Sequence, residues 1–143
     1  MELESFKYQQ YLTLQEEHWQ MDRCLVVNNE HKFSCCPRLM NLFSLYFQSF
    51  FSSAYTQNGT AHLQVPCELE VFRIILAYLH TNILVVPRQS HYSLFKDIAE
   101  LAEYFSLTHL FSICQKELSR RVSASNYKDL LSFSHLLGMG ELE

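Results

Sequence analysis

From Leu3 to Gln20 there is neither Gly nor Pro, and Tyr8, Tyr11, Leu12 and Trp19 recur at helical intervals among Gln and Glu, which predicts an amphipathic helix. The apolar run Cys24-Leu25-Val26-Val27, the turn-prone Asn28-Asn29 and a short segment ending at Phe33 predict a strand, a hairpin turn and a second strand. Pro37 gives up no needed donor in a first helical turn. The apolar positions from Leu39 to Phe51 are dense enough for two short buried helices. The polar run Ser52 to Thr60, which holds Asn58-Gly59, predicts a loop, and His62 to Val65 alternates as a strand does before Pro66 stops it.

In the second half the period is helical. Glu68 to His80 carries Leu69, Val71, Phe72, Ile75, Leu76 and Leu79, with acid at its positive end and Asn82 placed to close it. Ile83 to Val86 reads as a short strand ended by Pro87. Ser90 to Phe105 is a helix with Ser90 or Ser93 as its cap, and Thr108 to Arg121 repeats the pattern through Leu110, Phe111, Cys114 and Leu118. Ser125-Asn126 then precedes Leu130, Leu131, Phe133, Leu136 and Leu137, and Gly138 is a natural stop. A few short strands among short helices, with a helical second half, make this an α+β chain.

Composition changes this picture in three ways. At 143 residues the chain suits one domain with one core. Its 48% hydrophobic content against 18% charged leaves apolar surface for an interface as well as a core. The net charge of -4, with only Arg120 and Arg121 adjacent among the basic residues, offers no stripe for phosphates, so neither direct nucleic-acid binding nor membrane-surface binding is expected. Five cysteines set mostly in apolar runs, with no secretory leader, predict free thiols and an intracellular place, cytoplasmic or nuclear.

Candidate chemistry is thin. His31, Cys35 and Cys36 are zinc-ligand types, but adjacent cysteines after a strand point in opposite directions and no second close pair completes a site. No Gly-x-Ser-x-Gly turn or glycine-rich phosphate cradle is present, and Glu16-Glu17, like Glu100 and Glu103, reads as a solvated helix face. No enzyme, metal or cofactor is expected.

Three segments in register resemble the BTB/POZ family. Phe33 to Phe51, with the Tyr46-Phe47 pair, is similar to the stretch where a strand ends in Phe and two short helices follow. Val71 to Asn82 resembles the helix that closes on a Tyr-Thr-Gly step, with His80 and Asn82 here in place of Tyr and Gly. Ala99 to Leu110, with Cys114 and Leu118, is similar to the closing helix pair. The leading helix over 3–20 resembles the extra dimerisation helix of kelch-like and zinc-finger members. Ser123 to Leu137 resembles the opening of the BACK region that follows kelch-like BTB domains. The resemblance implies a BTB/POZ domain over 1–121, with a small mixed sheet capped by short helices, and a BACK-like extension beginning at 122–143.

Functionally, the resemblance implies a protein-interaction scaffold. It implies a homodimer with Tyr8, Tyr11, Leu12 and Trp19 in the interface, an unidentified client, and a cullin-type ubiquitin ligase as partner through Phe51, Tyr55, Gln57 and the second helical half. Kelch-like members present a hydrophobic-x-Glu motif where this chain has Tyr55-Thr56-Gln57. Gln keeps the shape and removes the charge, reducing a charge-assisted contact of about 1.5–3 kcal/mol to a neutral one. The alternative is a dimerising, corepressor-recruiting module of a transcriptional regulator. Its charged pocket would pair Asp22 with a His and a basic residue where Cys36 and Pro37 stand.

Overall fold

The computed structural model describes residues 2–3, 23–28, 30–53, 60–66, 68–88 and 90–138. Five strands and six helices lie among them. In chain order they are β1 (Glu2–Leu3), β2 (Arg23–Val27), β3 (His31–Cys35), α1 (Pro37–Phe43), α2 (Leu45–Ser53), β4 (Thr60–Leu63), α3 (Leu69–Thr81), β5 (Val86–Pro87), α4 (Tyr92–Tyr104), α5 (Thr108–Arg120) and α6 (Tyr127–Leu137). The chain divides into two compact units, Met1–Gln89 and Ser90–Glu143.

The first unit is built on a three-stranded sheet in the order β3-β2-β4, antiparallel between β2 and β3 and parallel between β2 and β4. Leu25, Val26 and Val27 are all buried although they alternate between the two faces of β2, so this central strand is covered on both sides. Asn28 turns the hairpin with φ 53, a left-handed conformation that Asn tolerates better than most residues. Its side-chain Oδ1 accepts from the Val65 N–H at 2.7 Å, and its Nδ2 donates to the Val65 carbonyl at 3.2 Å. The amide thereby continues the pairing after β2 has ended at Val27. For that reason β4 covers Thr60–Leu63, opposite Cys24 to Val27, and not the predicted 62–65.

Ser44 separates α1 from α2. Buried between them and extended in backbone, it accepts the Phe47 N–H on its hydroxyl at 3.2 Å and the Gln48 N–H on its carbonyl at 3.1 Å, which caps the start of a second helix. α3 is buried from Val71 to Phe72 and from Ile74 to Leu79, and its Phe72 meets Phe33 of β3 edge to face at 5.6 Å. Asn82 closes α3 at φ 60, donating its N–H to the Tyr78 carbonyl at 2.7 Å.

Other expected boundaries move as well. Leu3, placed at the start of a helix, is extended and pairs with Pro87 in the parallel β1–β5 bridge; residues 4–22 lie outside the described residues. The strand expected over 83–86 shrinks to Val86–Pro87, where Pro is tolerated because the bridge is an edge. The loop expected over 52–60 gives Ser52 and Ser53 to α2 and Thr60 to β4, and its residues 54–59 are outside the described residues.

The second unit is helical. Leu101, Ala102, Leu110, Cys114 and Leu118 are buried on α4 and α5, and α6 adds Leu130 and Phe133. The cap of α4 is His91, not Ser90 or Ser93: its Nδ1 accepts the Ser93 N–H at 3.2 Å. Gly138 ends α6 in the left-handed conformation.

Candidate interaction surfaces

In the helical unit a groove opens where α4 turns into α5. The Leu107 N–H reaches back to the Ala102 carbonyl at 2.7 Å and the Ser106 N–H to the Glu103 carbonyl at 3.1 Å, a Schellman arrangement with Ser106 at φ 58 where Gly is usual. This turn aims Leu107 inward. A cavity of about 310 Å³ results, lined by Ala102, Leu107, Phe111 and Leu137 with Glu103, Ser106 and Thr108 among the lining residues. A mostly apolar cleft with a few polar groups is the usual form of a site that takes an apolar side chain.

Leu137 reaches that groove because α6 is fixed from its other end. Asp129 accepts from the Tyr92 hydroxyl at 2.8 Å and from Lys96 Nζ at 2.9 and 3.0 Å, and the Lys96 ammonium lies 5.3 Å from the centre of the Phe133 ring. The lysine bond, then the tyrosine bond, hold the Asp129 carboxyl below the usual carboxylate range, while the bond to Asp129 raises the Tyr92 hydroxyl. At the joint between α5 and α6, Asn126 accepts the Ser123 N–H at 2.7 Å and donates to the Arg121 carbonyl at 2.8 Å.

In the first unit α2 carries an aromatic cluster. Phe47 stacks on Phe51 at 5.9 Å and Tyr46 on Phe50 at 6.3 Å. Leu42 and Leu45, on either side of the Ser44 break, leave 67% and 71% of their surface in solvent. Side chains of this size left so bare are positions that a partner could cover.

Of the site residues expected from sequence, Tyr8, Tyr11, Leu12, Trp19, Tyr55 and Gln57 lie outside the described residues. Phe51 is described and is 2% exposed; it anchors the end of α2 from below. Among the described residues, Leu42 and Leu45 are exposed apolar positions and Phe111 and Leu137 line the groove, none of which was expected as a site residue from sequence. Their spacing in the sequence marks Phe111 and Leu137 only as ordinary members of helical faces.

His80 links α3 to the start of α1. Its Nε2 accepts the Cys36 N–H at 3.0 Å, so the ring proton is on Nδ1, which donates to the Leu76 carbonyl at 2.7 Å. Burial pushes the imidazole below its ordinary range, against a smaller opposing effect of the Leu76 bond. The unfolded chain then binds a proton near pH 6.5 that the folded chain refuses. Stability is expected to fall as pH drops below 6.5, by at most about 1.4 kcal/mol per pH unit, and to fall less steeply in His80→Gln. Urea midpoints from pH 7.5 to 5 test this, and equal slopes for the two proteins would refute it.

Cys24, Cys36 and Cys114 are free thiols, and burial pushes Cys114 up to about 12, which makes it inert as a nucleophile. Among the described residues no group of three His, Cys, Asp or Glu is arranged to hold a metal ion, and no helix is long and apolar enough to cross a membrane.

A family model for the BTB/POZ domain matches residues 11–122. The chain belongs to the BTB/POZ family. BTB/POZ domains are protein–protein interaction modules, and the mixed sheet with its helices fits that fold. Mouse inhibitor of Bruton tyrosine kinase is 30% identical over 115 residues, 79% of this chain and 8% of that protein. Human Kelch-like protein 40 is 28% identical over 126 residues, 88% of this chain and 20% of that protein. The chain thus spans a small part of the curated relatives it matches. The BTB domain of zebrafish PATZ1 superposes with a TM-score of 0.59 at 21% identity, covering 84% of this chain and 97% of that one, a likeness of fold.

Proposed function

We propose that this BTB/POZ domain is a self-associating adaptor that recruits a cullin scaffold through its helical unit. The groove between α4, α5 and α6 carries the reading: its apolar lining suits an apolar side chain of the partner, and Glu103, Ser106 and Thr108 can orient the partner backbone. Tyr55 and Gln57 add a neutral contact from the segment after α2, which Phe51 anchors. Kelch-like proteins among the relatives support the same direction. Self-association uses the leading residues Tyr8, Tyr11, Leu12 and Trp19 together with the exposed Leu42 and Leu45. On this reading residues 1–121 form the BTB/POZ domain and 122–143 open a BACK-like extension whose first helix, α6, supplies Leu137 to the groove.

Sedimentation of the domain, alone and with the amino-terminal region of a cullin, tests the proposal. A dimer is expected at tens of micromolar, together with a faster complex when the cullin region is added. Leu45→Asp should leave monomer. Leu137→Asp should leave the dimer and weaken the complex by about tenfold or more, since it buries an unpaired carboxylate. Gln57→Glu should tighten it. Absence of any complex with the wild-type domain would refute cullin recruitment, and a wild-type monomer would refute self-association.

A further inference from the structure

The chain's adjacent basic pair is followed, after one residue, by a hydroxyl: Arg120-Arg121-Val122-Ser123. The adaptor reading makes no use of it. α5 ends at Arg120, α6 begins at Tyr127, and Val122, Ser123, Ala124 and Ser125 between them are exposed. Ser123 Oγ lies 2.9 Å from Ser125 Oγ, a bond between two exposed hydroxyls that water replaces at little cost. The Arg120 side chain is 78% exposed, and its 3.0 Å pair with Glu117 is a surface ion pair of small worth.

We propose that Ser123 is a phosphorylation site for a basophilic protein kinase, read through the two arginines placed three and two residues before it. Guanidinium groups bind carboxylates as matched forks, so an acidic substrate groove selects paired arginines at a set distance from the hydroxyl. Ser125 has Val122 and Ser123 at those positions and is not selected. Arg121 is 24% exposed, bonded to Glu117 at 2.8 Å and to the Ser90 carbonyl at 2.6 Å, and stacked 4.6 Å from the centre of the Phe95 ring. Arg120 is therefore engaged first, and the last turn of α5 frays as Arg121 exchanges these partners for the kinase's carboxylates.

In the transfer, Ser123 Oγ forms a bond to the γ-phosphorus of ATP while the bond from that phosphorus to the bridging oxygen breaks. ADP leaves, and the hydroxyl proton passes to the kinase's carboxylate base. The product carries nearly two negative charges in the joint between α5 and α6.

Incubating the whole chain with ATP and the catalytic subunit of a cyclic-AMP-dependent kinase is expected to place one phosphate on Ser123, located by mass spectrometry. Ser123→Ala should abolish it and Ser125→Ala should not. Arg120→Ala should slow incorporation by about tenfold, the loss of one charge-assisted pair. Circular dichroism checks that each variant is folded. The assignment is overturned by phosphate that persists in Ser123→Ala, by an Arg120→Ala rate equal to wild type, or by a folded chain that stays unmodified, whether or not a peptide of residues 117–127 accepts phosphate.

Discussion

Replacing Phe47 by alanine is expected to cost the domain about 3–5 kcal/mol, close to the whole stability of many small domains. Phe47 is fully buried, stacked on Phe51 and met edge to face by Tyr46 at 5.2 Å and by Phe50 at 6.1 Å. Truncation removes the ring's transfer free energy and opens a void that three neighbouring rings cannot fill without leaving their rotamers. Its backbone N–H, bonded to Ser44, is untouched, so the loss reads packing and not capping. The measurement is the denaturant midpoint at constant slope. A change under about 1 kcal/mol would show that the aromatic cluster of α2 is not part of the core.

In the helical unit the matching test is Leu110→Ala, expected to cost about 2–5 kcal/mol. Leu110 is fully buried near the start of α5, on the same face as the fully buried Cys114 and Leu118. Leu101→Ala, on α4, should cost a similar amount, because α4 and α5 share that interface and neither helix has another buried face to turn inward. Ala keeps the helical propensity high, so a loss measured by denaturant midpoint belongs to the cavity. A cost under about 1 kcal/mol at both sites would mean that this helix pair packs by other faces.

These tests fall on the part of the fold that is legible from sequence. Strand-hairpin-strand, two short helices after Pro37 and four later helices follow from spacing alone, because burial of a helix or strand face imposes its period on the chain. What is not legible depends on partners distant in sequence. β4 ends where β2 ends, a matter of register between strands separated by two helices. Asn28 signals a turn, but nothing local announces that its amide meets Val65. His91 caps α4 in place of a serine because its ring nitrogen reaches the Ser93 N–H. Ser106 takes a left-handed turn that Gly would have advertised.

The candidate site divides along the same line. Phe51 is visible in the sequence as a large aromatic, but its burial beneath the surface follows from the packing of α2. The groove is less visible still. Phe111 and Leu137 are separated by most of two helices, and only the Schellman turn at Ser106 and the anchoring of Asp129 put them on one cavity wall. Leu42 and Leu45 show the opposite difficulty, since a leucine in a dense apolar run gives no sign of being the one left bare.

The arrangement of β4 beside β2 bears on how the chain acquires its shape. The hairpin of β2 and β3 closes over a turn and can form early, whereas the third strand arrives only after the intervening chain has brought Thr60 back to Cys24. Until α1 and α2 collapse onto their aromatic rings, one edge of β2 has no partner. Completion of the sheet and consolidation of those helices are therefore expected to be coupled, so that slowing one should slow the other.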